Sequence, residues 1–366
     1  METFAWSTPP PLHAAATTTG TTASHLRIAA AYVRRLRRMP ILDERHDLAH
    51  PVEGDSAWSE SYYFNAYDPV SDAGLFTRIG VRPNEGTMDV GLSLWLPGSE
   101  LAHTVGVREC RAMTDSELEV GGVRYERIEP MKEWRLTAEA DALVRDLSRP
   151  DAPARPVRIG LDATFHALIP AVGGDGQGRQ GSGASVATGQ SVGKGHLEQA
   201  GRWTGVIEAG GERHELGDGR GNRDKSWGPR RWGGPRMWRW FSANLGDHVH
   251  FGGIRIGTEL GDLHRGWVWR DGEHVSIAEW DVRTELAADG ITHAVSHVRA
   301  TDKLGRVHEL RGDLLRVAPV VHHHGDRHTV LNEGLARWTY DGLTGYGISE
   351  YLHQLDAQGE PVVPIE

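Results

Sequence analysis

From about residue 56 onward, apolar side chains recur at every second position, a period that suits a half-buried β-strand and not a helix. Val90, Leu92, Leu94 and Leu96 alternate with Asp89, Gly91 and Ser93, and Ile159, Leu161, Ala163, Phe165 and Ala167 repeat the pattern. The segment WRLTAEADALVRDL (134–147) tempts a helix reading. Yet Trp134, Leu136, Ala138, Ala140, Ala142 and Val144 fall on one side of a period of two, which predicts a strand. Gly210-Gly211, Asp271-Gly272, Asp289-Gly290 and Asp341-Gly342 sit between β-rich runs, and such dipeptides supply the positive φ angles of two-residue hairpins. The pattern therefore predicts an antiparallel, all-β protein.

At 366 residues the chain exceeds one average domain. Its composition shifts suggest a mobile tail over 1–24, a helix and lead-in over 25–55, a first β-domain over 56–171, a Gly-rich linker over 172–195 and a second β-domain over 196–366. In HLRIAAAYVRRLRRMP, Ile28, Tyr32 and Leu36 recur every fourth residue between Ser24 and Pro40, a helix with start and stop signals. Its Arg34, Arg35, Arg37 and Arg38 make a basic face, solvated or in weak contact with an anionic membrane surface. No run reaches the roughly 18 to 20 apolar residues of a membrane helix, and no secretion signal opens the sequence. The single cysteine, Cys110, allows no intramolecular disulfide and reads as a small core residue. A cytoplasmic protein without stable membrane insertion is expected; nothing in the pattern speaks to oligomeric state.

The stretch GRGNRDKSWGPRRWGG (219–234) is strongly basic in a chain whose formal net charge is -10. That total argues against a nucleic-acid partner, although Arg220, Arg223, Arg230, Arg231, Arg236 and Arg239 interleave with Trp in a way that suits single strands. Gly176 to Gly181 spells GxGxxG, but SGASVATG after it opens no convincing helix, and Gly189 to Lys194 lacks P-loop spacing. His322, His323, His324 and His328 with Asp326 are metal-ligand types. Neighbours on a strand face opposite ways, so a surface loop and no metal is the expectation. There is no GxSxG and no HExxH, and no cofactor is predicted.

HLEQAGRWTGVIEAGGERHELGDGRGNRDKSWGPRRW, continuing through MWRWFSANLGDHVHFGGIRI, resembles the second domain of a superfamily of paired lipocalin-like β-barrels. That superfamily includes carotenoid hydratases of the hydroxyneurosporene synthase type and AttH-type proteins. The matching pieces are His196-x-Glu198-Gln199, Arg223-Asp224-Lys225-Ser226-Trp227-Gly228-x-Arg230 and Trp238-x-Trp240, with WSESYYFNAYDP resembling the first barrel. The resemblance implies two consecutive antiparallel lipocalin-like β-barrels. It also implies a cofactor-independent hydratase or cyclase (a lyase or isomerase) acting on a hydrophobic, isoprenoid-like or polyketide-like small molecule in a Trp-lined barrel pocket. Two departures stand out: Lys225 occupies a position where those hydratases usually carry His, and Asp247 to Gly253 contains no Tyr-x-Asp.

If residues 222–228 run as a strand, Arg223, Lys225 and Trp227 share one face while Asp224 and Ser226 share the other. We expect Arg223 and Asp224 to compensate each other, and Lys225 and Trp227 to face a cavity. Candidate catalytic residues are Asp224, Lys225, His250 and Glu350, with His248 and Glu60 as further possible proton donors. Candidate ligand contacts are Trp227, Trp238, Trp240, Tyr63 and Phe251, and Arg223, Arg230 and His196 complete the motif structurally. The competing reading is a non-catalytic carrier of a hydrophobic metabolite. An enzyme should place an ionisable group of perturbed pKa on the cavity wall, whereas a carrier should have a dry apolar lining.

Overall fold

A computed structural model describes residues 39–113, 117–176, 184–324 and 327–366; the predicted tail and the helix over 25–38 lie outside them. The alternating segments form the predicted strands, and 134–147 is one of them, its residues switching between buried and open along Glu133–Asp146. Asp271 (φ 50°) with Gly272 (86°) and Asp341 (51°) with Gly342 (76°) make the predicted hairpin turns.

The first, twelve-stranded sheet comprises β1 (Trp58–Asp68), β2 (Ala73–Arg82), β3 (Thr87–Trp95), β4 (Glu100–Glu109), β5 (Glu119–Val120), β6 (Val123–Glu129), β7 (Glu133–Asp146), β8 (Arg155–Ala167), β9 (Val172–Gly174), β10 (Gly195–Ala209), β11 (Glu212–Glu215) and β12 (Gly219–Pro229). The second comprises β13 (Met237–Leu245), β14 (Val249–Thr258), β15 (Gly261–Arg270), β16 (Glu273–Leu286), β17 (His293–Asp302), β18 (Val307–His324), β19 (Arg327–Tyr340) and β20 (Leu343–Leu355), closed in that order into an antiparallel barrel.

The boundary between the sheets falls elsewhere than the sequence suggests. β10 and β12 belong to the first sheet: β12 pairs with β1 and β10, and β10 pairs with β8, which returns through β7 to β4. This completes a ring that β1 to β4 begin, so the sheets change over in the loop 230–236. The expected linker carries β9, paired to β10, and a helix, α1 (Ala184–Ser191). Local composition gave no sign of α1 because its C-terminal carbonyls find distant donors. The Arg231 backbone N–H bonds Ser191 O at 2.7 Å and its guanidinium bonds Gln190 O at 2.6 Å, satisfying groups that a short helix leaves open.

Strand periodicity separates three apolar layers. On β1, Tyr62, Phe64 and Ala66 enter a first core with Trp134, Phe165 and Trp203. On β13, Phe241 and Ala243 enter a second with Phe251, Trp280 and Trp338. The alternate residues, Tyr63 and Tyr67 from β1 and Trp238 and Trp240 from β13, meet in a third layer between the two sheets. Each such side chain withdrawn from water contributes about 1.5 to 3 kcal/mol, so the sheets are joined by a core of their own. Cys110 is buried in the first core, as expected. No helix among the described residues is long and apolar enough to cross a membrane.

Candidate active site

β12 divides its residues between two environments. On one face Arg223, Lys225 and Trp227 hold down the segment that precedes β1. Arg223 donates to Asp47 (Nη1 to Oδ1, 2.6 Å) and to Gln199 Oε1 (2.7 Å). Lys225 pairs with Glu60 at 2.6 Å and donates to the carbonyls of His46 and Leu48. Trp227 stacks on His50, ring centroids 3.8 Å apart, and His50 bonds Glu60 through its backbone N–H (2.9 Å) and ring (3.0 Å). Burial opposes the charge of Asp47 and Glu60. The Arg223 cation outweighs it at Asp47, and His50 with Lys225 outweighs it at Glu60, so both carboxyl pKa values lie below their usual range.

The strand's other face, Asp224 and Ser226, opens on a cavity of about 410 Å³ between the sheets. Its walls include Tyr63 and Phe76 from the first sheet, Trp238, Trp240, Ile254 and Leu331 from the second, and Thr188 of α1. Of the ionisable side chains that line it, four beside the aromatic wall form two pairs. His196 Nε2 lies 3.0 Å from Asp224 Oδ2. Burial disfavours the charged ring, but the Asp224 carboxylate outweighs it and raises the His196 pKa.

Glu333 and Glu350 are opposite one another on β19 and β20 and hydrogen-bond through their side chains. Tyr63 OH donates to Glu333 Oε2 at 3.1 Å and Trp238 Nε1 to Glu350 Oε1 at 2.5 Å. Burial pushes both carboxyls up, Glu350 to about 7 and Glu333 well above its ordinary value, the latter also through the charge of Glu350. Two such groups in contact titrate as one unit and keep a proton between them near neutrality. Behind this wall Glu198 accepts from Trp240 Nε1 (2.9 Å) and Trp267 Nε1 (2.6 Å), fixing the orientation of the Trp240 ring.

Of the residues singled out in the sequence, Asp224, Glu350, Tyr63, Trp238, Trp240, His196 and Arg230 line the cavity. The others are elsewhere. Arg223 and Asp224 point to opposite faces and pair with Asp47 and His196, not with each other. Lys225 and Trp227 do share a space, but it is the buried seat of the 42–50 segment, where Glu60 is held by Lys225. The pocket lies between the sheets because both interiors are filled, and Phe251 is part of the second filling. His250 sits in the seam between the sheets, bonded to Asn244 (2.9 Å), which bonds Asn222 (2.8 Å). Burial lowers its pKa to about 4, so it carries no proton to give near neutrality. His248 does not reach the cavity wall. His322 stacks on Trp232 and His323 faces His328. No group of three His, Cys, Asp or Glu among the described residues is placed to hold a metal.

Glu333 is the residue that sequence reading missed. It shares its strand face with Leu331 and Leu335, as Glu350 does with Ile348 and Leu352. A carboxylate on an otherwise apolar face is the available signal, since such a group is buried only at a cost.

Residues 43–355 match the model of a domain family of unknown function, DUF7064. No curated protein matches the chain. Among solved structures, kievitone hydratase from Nectria haematococca is similar, with a TM-score of 0.56 and 13% identity over 86% of this chain and 93% of that one. CghA with Sch210972 is similar at a TM-score of 0.51 and 13% identity, over 81% and 88%. At such identity the likeness is one of fold.

Proposed function

The chain belongs to the DUF7064 domain family, and from the chemistry of its inter-sheet cavity we propose that it is a hydratase- or cyclase-type enzyme acting on a hydrophobic, isoprenoid-like or polyketide-like unsaturated molecule. The observation that carries this reading is the Glu333–Glu350 pair. A protonated carboxyl held beside aromatic rings is a general acid for an alkene, and a carrier has no use for it. The similarity in fold to a kievitone hydratase is in keeping with this chemistry.

In the proposed reaction Glu350 gives its proton to one alkene carbon. A C–H bond forms, the π bond breaks, and the neighbouring carbon becomes cationic. The remaining Glu350 carboxylate accepts hydrogen bonds from the Trp238 N–H and from the Glu333 carboxyl, whose pKa is raised further and which keeps a proton of its own. Trp240 and Tyr63 both line the cavity, their rings edge to face at 5.7 Å; an aromatic ring steadies a cation, and the enclosing walls limit stray water. In a hydration, the entering water yields its proton to His196 in its neutral form, oriented and made more basic by Asp224, and its oxygen bonds the cationic carbon. In a cyclisation an internal double bond takes the place of that water. Acid and base both come from side chains, so the proposed mechanism calls on no cofactor.

Native mass spectrometry of freshly purified protein should first identify a co-purified hydrophobic ligand. Isoprenoid alkenes that bind should then acquire a carbon-bound deuterium in D₂O with the wild-type protein and not with Glu350→Gln. Binding of alkenes without deuterium uptake by the wild type would establish the carrier reading instead.

A further inference from the structure

One end of the cavity is built around Trp232, in the loop that joins the sheets, and two guanidiniums meet there. Arg78 of β2 lies 5.8 Å from the Trp232 ring centroid and Arg230 lies 5.3 Å from it; both line the cavity. The indole is a fixed platform. His322 stacks on it at 4.5 Å, and Gln354 Nε2 donates to the Trp232 carbonyl at 2.9 Å.

The cations at this end outnumber the carboxylates that answer them. Arg230 makes no ion pair among the described residues, and its guanidinium donates to the Ser226 hydroxyl at 2.9 Å. Arg78 pairs with Asp89 at 3.0 Å, but Asp89 is shared with Arg82 at 3.2 Å. Arg78 also donates to Ser61 Oγ through Nε, yet its Nη2 is buried with no hydrogen-bond partner. The acids further along the wall are committed: Asp224 to His196, Glu350 to the proton it shares with Glu333. Burial, and then the charge of Arg78, lower the Arg230 pKa to about 10, against the smaller opposing pull of Asp224 and Glu350, neither of which reaches it as an ion pair. Two like charges in a poorly solvated wall, one with an idle N–H, are an arrangement completed by an anion.

We propose that the Arg78–Trp232–Arg230 end of the cavity binds a carboxylate carried by an otherwise apolar substrate. The inference rests on the cavity being the ligand site, as in the proposed function, and adds the class of molecule: an unsaturated amphiphilic acid. Its acid group sits on the planar guanidinium forks, which match a carboxylate in shape. Its chain lies against Trp238 and Trp240, within reach of Glu350.

The test compares farnesoic acid with farnesol and with methyl farnesoate, three probes with one apolar body, by quenching of tryptophan fluorescence. The wild type is expected to bind the acid at least about tenfold more tightly than either neutral probe. Arg230→Gln and Arg78→Gln are each expected to erase that preference while leaving farnesol affinity and the melting temperature near wild type, and Arg230→Lys to keep part of it. Equal affinity of the wild type for acid and alcohol overturns the carboxylate site and leaves the cavity reading standing, as does a preference that survives in the folded double Gln variant. Failure of all three probes to bind the wild type overturns the cavity as a ligand site, and the carboxylate site with it.

Discussion

Arg223 and Asp47, 176 residues apart in the chain, form a buried ion pair: Nη1 lies 2.6 Å from Oδ1 and the side chains are 2% and 0% exposed. Asp47 is bonded further by the Met131 N–H at 2.6 Å. The pair ties the segment before β1 to a strand that completes the first ring. Removing one partner strands the other charge away from water. Arg223→Met is therefore expected to lower stability by about 3 to 5 kcal/mol, seen as a fall in the denaturant midpoint. Asp224→Asn, one position along and on the cavity face, should cost far less stability while impairing catalysis. Equal losses of stability from the two would contradict the division of β12 into two faces.

Lys225 and Glu60 allow a sharper measurement. Lys225→Met leaves Glu60 with His50 and the Tyr62 hydroxyl, and Glu60→Gln takes from Lys225 the carboxylate it pairs with. Each single change should destabilise, and the double variant should recover part of the loss, a coupling of about 1 to 3 kcal/mol in a double-mutant cycle. Catalysis by the double variant should stay near wild type once folding is matched, because neither group faces the cavity. Loss of turnover there would restore Lys225 as a catalytic candidate.

The acid pair makes a statement about pH. A carboxyl whose folded pKa is raised binds a proton more tightly in the folded than in the unfolded chain, so it lowers stability as pH rises. For the Glu333–Glu350 pair the decline begins near the unfolded value of 4.5 and continues to about 7, where Glu350 has lost its proton. Glu350→Gln should flatten the decline in melting temperature between about pH 4.5 and 7. His196, its pKa also raised, acts in the same direction: its contribution is complete below 6.5 and fades as pH climbs through the folded value. A melting profile that Glu350→Gln does not alter would place an ordinary carboxylate at this position.

On activity, Glu350→Gln and Glu333→Gln are each expected to reduce turnover by about 10² to 10⁴, with ligand affinity changed little. Trp240→Phe removes the N–H held by Glu198 but keeps an aromatic face, and should cost less. A Glu333→Gln variant with full turnover would show that Glu350 works alone.

The sequence announced what is local. Alternation fixes which residues of β12 share a face, and that reading was correct for Arg223, Lys225 and Trp227 against Asp224 and Ser226. Which face meets the cavity depends on how two sheets pack, and no window of seven residues contains that information. The partners of Arg223 and Lys225 lie before β1, and a spacing rule cannot reach them. Trp238 and Trp240 enter through the family resemblance and Glu350 as one of several candidate donors; in the structure a period of two sets all three outward on strands whose alternate residues fill a core. Glu333 obeys the same rule, but no motif surrounds it to mark it out. The boundary at residue 196 failed for a related reason: a Gly-rich segment looks like a joint between domains, whereas here the chain crosses it and then returns to finish the first ring.

That return governs the order in which the molecule can be made. β1 leaves the ribosome early, yet its neighbour on one side is β12, so that the Asn222 N–H meets Asn65 Oδ1 across 157 residues of chain. At about 5 to 20 residues per second of synthesis, one edge of β1, with Tyr63 on its outer side, waits many seconds for its partner. During that interval the nascent chain presents an open strand edge, and the acid-bearing cavity cannot assemble until both rings have been translated.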